Sequence, residues 1–163
     1  MTEIRRIRPA EWTAAKQLVY RVLHSSFHEQ RSLEEMIADS EGQGRLADMD
    51  DIQKNYFDQN GVFLVITEDD RVIGTGAIRR LEDHVCELKR LFLLEEYQGK
   101  GLGYRLLLEL LQAAREFGYK KIRLETAPRY LKRATSLYRR VGFYEIPKYE
   151  ATHPNDIAME MIL

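Results

Sequence analysis

An α/β fold built on a mixed sheet follows from three features of the sequence. Two apolar runs, Val62–Thr67 and Val72–Arg80, flank the polar tetrapeptide Glu68-Asp69-Asp70-Arg71, the pattern of an antiparallel hairpin. A leucine-rich stretch from Gly101 to Phe117 carries Leu106, Leu110, Ala113 and Phe117 on one helical stripe. It stands between two strand-like runs, Val85–Leu94 and Lys121–Thr126. Such a strand–helix–strand unit closes as a right-handed crossover with its strands parallel. A hairpin joined to a parallel pair makes the sheet mixed.

The remaining elements fall in order around this centre. Glu3–Arg8 alternates weakly and stops at Pro9, as a short edge strand does. Trp12, Ala15, Val19, Val22 and Leu23 recur at helical spacing and predict a helix over 12–23. Ser32 followed by Glu35 forms a capping box, opening a second helix predicted to stop near Gly42. The polar, glycine-containing segment Ser40–Asp51 is expected to be a mobile loop, and Ile52–Phe57 a short helical turn. Gly118 ends the leucine-rich helix in the position glycine favours just past a helix. Leu131–Val141 reads as another helix, stopped by Gly142. Phe143–Ile146 and Ile157–Leu163 close the chain as strands, separated by the loop Lys148–Asp156. No internal repeat or low-complexity linker interrupts the pattern, so residues 1–163 read as one domain.

Composition narrows the function classes. Apolar residues at 44% and charged residues at 31% describe a globular protein, and a formal net charge of -1 supplies no field for gripping nucleic acid or an anionic membrane. The lone Cys86 forbids an internal disulfide and, with a charged N-terminal stretch in place of a signal pattern, points to the cytoplasm. Cys86 itself reads as a small buried hydrophobe. His24 and His28, four apart on a helix, could face a metal together, but no third ligand accompanies them and no metal is expected.

The most informative segment is Gln98-Gly99-Lys100-Gly101-Leu102-Gly103. It places three glycines between a strand and a helix N-terminus, where unpaired N–H groups meet the positive end of the helix dipole. Phosphate groups bind well there. The spacing is neither that of a Walker loop nor that of a dinucleotide fingerprint. Taken alone, the loop is equally a tight strand-to-helix turn.

A second element downstream breaks the tie. Gln98-x-x-Gly101-x-Gly103 resembles the acyl-CoA pyrophosphate loop of the GCN5-related N-acetyltransferases, the GNAT family, and Ala134-x-x-Leu137-Tyr138-x-x-x-Gly142-Phe143 is similar to that family's other familiar element. The resemblance is firm from Glu87 to Phe143, extends to the preceding hairpin and fits the first sixty residues in outline. It implies a twisted mixed sheet of about six to seven strands with helices on both faces. It implies acetyl transfer from acetyl-CoA, the cosubstrate, directly to a primary amine on a small-molecule or peptide acceptor. A non-catalytic acyl-CoA sensor is the alternative, a nucleic-acid-binding module a third class, and a homodimer is compatible with the fold.

Residue by residue, the resemblance implies that the backbone of Leu91, Phe92 and Leu93 meets the pantetheine arm. A backbone N–H there would serve as oxyanion donor. Gln98, Gly99, Lys100, Gly101, Leu102 and Gly103 would cradle the pyrophosphate. Leu91 and Leu93 also read as core, and both roles are compatible because the ligand would use main chain. Tyr104 either borders the loop or faces solvent. Tyr138 stands where the family commonly protonates the departing sulfur, and its other reading is an aromatic packed under the sheet. Glu87, opening the strand that carries the acetyl group, is the candidate base, with Asp83 and His84 as alternatives. Where the family often has asparagine, this chain has Leu131, so the contact made by that asparagine passes to Arg133 or to backbone near Thr126. The basic run Arg129–Arg133 together with Arg139 and Arg140 could hold the 3′-phosphate.

Overall fold

The computed structural model describes residues 1–163. The chain passes through β1 (Thr2–Arg6), α1 (Trp12–Ser26), α2 (Leu33–Gln43), α3 (Ile52–Asn55), β2 (Val62–Glu68), β3 (Arg71–Glu82) and β4 (Val85–Leu93). It continues through α4 (Leu102–Glu116), β5 (Lys121–Thr126), α5 (Lys132–Val141), β6 (Tyr144–Ile146) and β7 (Ile157–Ile162). The seven strands form one sheet in the order β1-β2-β3-β4-β5-β7-β6. All neighbours are antiparallel except β4 and β5, which run parallel.

Asp69 and Asp70 turn the β2–β3 hairpin with both backbones left-handed, at φ 49° and 65°. That is the twist a two-residue hairpin needs, and aspartate tolerates it through local hydrogen bonding. Side-chain alternation then assigns the faces. Gly76 of β3 lies under Leu106 and Leu110 of α4. Three residues on, the opposite face carries Arg79 over the Tyr56 ring at 5.5 Å, and Tyr56 packs edge-on against Phe63 at 5.2 Å. Helices thus cover both faces, with α4 on one and the α1–α3 region on the other.

The apolar stripe of α4 is the centre of the core: Leu102, Leu106, Leu107, Leu110, Leu111 and Ala114 are all buried. Burying each leucine contributes about 1.5–3 kcal/mol, which explains why a helix opening on three glycines nevertheless holds. No helix of the chain is long and apolar enough to cross a membrane.

The segment expected to be a mobile loop is instead anchored. α2 runs on to Gln43 and closes on left-handed Gly44, and Leu46 and Met49 beyond it are 2% and 1% exposed. Its polar composition hid two apolar anchors and an aspartate whose partner lies on a distant strand. β1 is shorter than expected because Arg8 and Pro9 already open a 3-10 turn. His24 and His28 do not form a helical pair: α1 ends at Ser26, His28 is left-handed, and His24 Nε2 lies 2.8 Å from the Arg31 carbonyl.

Candidate active site

The site begins where the sheet parts. β4 and β5 pair only through Val85–Lys121, Cys86–Ile122 and Glu87–Arg123. Beyond that rung the two strands separate, and the main chain of β4 from Leu88 to Leu93 faces a gap instead of a neighbour on that side.

The same half of β4 carries a bulge. Ala77 opposes Lys89 but Thr75 opposes Phe92, so Arg90 and Leu91 together face the single residue Gly76. Arg90 is left-handed at φ 58°, a conformation that costs a non-glycine residue about 1–3 kcal/mol. Its surroundings hold it there. Thr75 Oγ1 donates to the Arg90 carbonyl at 2.7 Å. The guanidinium grips Asp48 through Nη2 at 2.6 Å and Nε at 3.0 Å, and Tyr56 donates its hydroxyl to the same carboxylate. Burial works against the Asp48 charge, yet Arg90 and Tyr56 hold its carboxyl below the ordinary aspartate range. One largely buried ion pair therefore ties the α2–α3 segment to the point where β4 leaves its regular ladder.

At the end of β4, Gln98 Nε2 donates to the Leu93 carbonyl at 2.9 Å and pins the glycine loop to the strand. Gly99 and Gly101 are left-handed, at φ 78° and 82°. The amides of Gly99, Lys100 and Gly101 bond to no backbone carbonyl, and no side chain caps α4. The loop and the first turn of α4 thus present a run of free N–H groups, a nest for an anion. Arg133 of α5 sits at the same place, with Nη1 3.0 Å from where a side chain on Gly99 would begin. Lys100 lies over the Tyr97 ring at 5.5 Å. Tyr104 is 46% exposed and points away, lining an outer groove with Leu108 and Tyr144.

α5 brings Tyr138 under the sheet, buried and edge-on to Phe143 at 5.6 Å. Burial alone raises its hydroxyl pKa; no hydrogen bond or charge contributes. The phenol accordingly stays protonated at neutral pH. Leu131 caps α5 without a side-chain bond, and its carbonyl accepts from Thr135 Oγ1 at 2.8 Å.

Glu87 lies on the other face of the sheet and is only 4% exposed. Tyr149, from the loop before β7, donates its hydroxyl to Glu87 at 2.8 Å, while Arg79 and Lys89 stand 3.9 and 3.7 Å away. Burial, followed by the Glu87 charge, raises the Tyr149 hydroxyl pKa, so it remains a donor. Cys86 is fully buried and its thiol is pushed up to about 12 by burial, which leaves it a hydrophobe. Asp83 and His84 occupy the β3–β4 turn at the opposite end of β4 from the gap.

The sequence reading did not find Asp48, Tyr149 or Glu125, the last a β5 carboxylate described below. Asp48 and Tyr149 reach the site from segments with no motif of their own. Glu125 had one available signal, an acidic residue at alternate spacing from Arg123 in a strand otherwise assigned to core.

Comparison with known proteins fits this geometry. The acetyltransferase (GNAT) family model matches residues 15–143. The uncharacterized N-acetyltransferase YjgM of Escherichia coli is 35% identical over 101 residues, covering 60% of each chain. Human N-acetyltransferase 8B is 34% identical over 102 residues, 59% of this chain and 44% of that one. The chain thus spans about half the length of these curated relatives. Among solved structures, a GNAT-family acetyltransferase from Staphylococcus aureus superimposes with a TM-score of 0.82 at 18% identity, covering 99% of both chains. The PaiA N-acetyltransferase of Thermoplasma acidophilum, in complex with coenzyme A, gives 0.78 at 23% identity, covering 100% of this chain and 99% of that one. With the parted strands, the bulge and the loop of free amides in agreement with that match, the chain belongs to the acetyltransferase (GNAT) family.

Proposed function

We propose that the chain transfers an acetyl group from acetyl-CoA directly to a primary amine, without a covalent enzyme intermediate. The observation that carries this reading is the run of unpaired amides from Gly99 into α4, with Arg133 beside it. Free N–H groups at a helix N-terminus suit a pyrophosphate, so the residues present fit the cosubstrate. When bound, acetyl-CoA supplies an activated thioester. The main chain of Leu91, Phe92 and Leu93, which has no neighbouring strand on the gap side, would hold the pantetheine arm and donate an N–H to the developing oxyanion.

The side chains then divide the proton work. Glu87, directly or through water, takes the proton that the acceptor ammonium must lose. Tyr138 gives its hydroxyl proton to the departing sulfur as the C–S bond breaks and the C–N bond forms. Each such transfer is worth about 10²–10⁴ in rate. No group of three or more His, Cys, Asp or Glu side chains is arranged to hold a metal ion, and these roles need none. The acceptor is an amine-bearing small molecule or peptide, and we place the reaction in the cytoplasm.

The test is an acceptor screen that follows thiol release from acetyl-CoA. Saturable release with one class of amine is expected. Tight acetyl-CoA binding with no release across a broad panel would replace the enzyme by a sensor.

A further inference from the structure

β5 holds a carboxylate with no counterpart elsewhere in the molecule. Glu125 lies two residues past the last β4–β5 rung, Glu87–Arg123, and alternation puts it on the same face as Glu87. It therefore stands where the strands have parted. Both of its oxygens are shut off from solvent and neither accepts a hydrogen bond. Thr152 stands beside it without completing one.

Other buried carboxylates of the chain are engaged. Glu87 accepts from Tyr149, Glu160 from Arg123 at 2.8 Å and Tyr144 at 2.7 Å, and Asp48 from Arg90 and Tyr56. Burial, and then the neighbouring charges of Glu150 and Glu87, push the Glu125 carboxyl above its ordinary range, against the opposing effects of Thr152 and Lys148. A sealed acceptor without a donor is costly and calls for a partner. The chain pairs no cation with it: Arg123 is committed to Glu160 and Glu82, and Lys148 Nζ donates to the Thr152 and His153 carbonyls.

We propose that Glu125 selects the acceptor by receiving a second positive charge, so that the preferred substrate is a small dicationic amine. The proposal rests on the transfer reaction above. Glu87 serves the ammonium that reacts, and a monoamine would leave Glu125 bare. An ammonium or guanidinium elsewhere on the same molecule satisfies it. An acceptor with a carboxylate beside its amine would meet Glu125 and Glu87 as like charges and be rejected.

The test compares 1,4-diaminobutane, 1-aminobutane and glycine, with wild-type chain and Glu125→Gln. Two readouts are used: thiol release from acetyl-CoA, and calorimetric binding of each amine to the chain saturated with coenzyme A. Wild type is expected to favour the diamine over the monoamine by about ten- to hundredfold in kcat/KM and in binding, as a hydrogen bond to a charged partner warrants. Glu125→Gln should remove that preference through KM, bringing the diamine to the level of the monoamine in both readouts. Because the substitution is isosteric and removes an unpaired buried charge, its Tm should hold or rise. Equal binding of diamine and monoamine by wild type would overturn the proposal, as would a Glu125→Gln variant that loses kcat equally on every amine or melts well below wild type. Binding selectivity without thiol release would retain the Glu125 assignment and defeat the transfer reading instead.

Discussion

Between Leu91 and Gly103 the cleft offers main chain: a bulged strand, two left-handed glycines and an uncapped helix turn. Across the sheet it offers side chains, and these come from separate places, Glu87 on β4, Glu125 on β5 and Tyr149 on the loop before β7. In the proposed reaction the two sides answer different needs. Backbone amides grip a phosphate-bearing ligand whatever side chains surround them, so that side is specified by where glycine sits. An amine's charge and reach must be matched by particular carboxylates, so the other side is specified by residues far apart in sequence. A ligand held by backbone leaves its mark as a local motif, whereas one held by side chains does not.

The strongest way to break this division is to cut the tie between the halves. Asp48→Asn leaves the largely buried Arg90 without its counter-charge and should cost about 3 kcal/mol, the lower end for a buried pair, a fall in Tm of about 10 °C. An unchanged melting curve would show that the bulge keeps itself. The same pair gives a pH signature. The folded Asp48 carboxyl titrates below its ordinary value of about 3.9. Its contribution is therefore whole above that value and is lost as pH falls through the lower folded one. Denaturant titrations between about pH 5 and pH 2 should show a smaller acid loss in Asp48→Asn than in wild type, the remainder coming from carboxylates such as Glu11 and Glu160 that are also held low.

Next in size is the chemistry. Tyr138→Phe should slow transfer about a hundredfold, at the lower end for a general acid, with acetyl-CoA affinity nearly intact. Full activity in that variant would return Tyr138 to the core. Smaller again is Gly101→Val. A side chain there meets nothing within 4 Å, so only the left-handed backbone resists it, and acetyl-CoA Kd should rise about tenfold. Wild-type affinity would mean that the loop amides do not hold the phosphates. Smallest is Tyr149→Phe, which removes the one hydroxyl donated to Glu87. A rise of about threefold in KM for the amine, with no change for acetyl-CoA, is expected, because the lost bond reaches the amine only through the position of Glu87. A change in acetyl-CoA KM would show that the two sides are not separable.

Much of the fold was legible because periodicity and punctuation agree. The α4 stripe, Gly118, Gly142 and the Asp69-Asp70 turn each mark an element where the structure has one. Between Ser40 and Asp51 they disagree: polar, glycine-containing sequence reads as loop, while Leu46 and Met49 bury themselves and Asp48 finds Arg90. No local rule reports a partner forty-two residues away. The glycine loop and Tyr138 were readable as motifs. The exposure of Tyr104 depends on which side of α4 meets the sheet, and the isolation of Glu125 depends on two strands parting, neither of which is written in one segment.

The ion pair of Asp48 and Arg90 has a consequence for recombination. Residues 40–57 line one half of the molecule, yet their anchoring charge belongs to a strand of the other. A chimaera whose replacement segment carried no acid at position 48 would leave Arg90 without its partner unless position 90 were changed with it. The segment is thus not a free cassette: it is keyed to β4 by a single arginine.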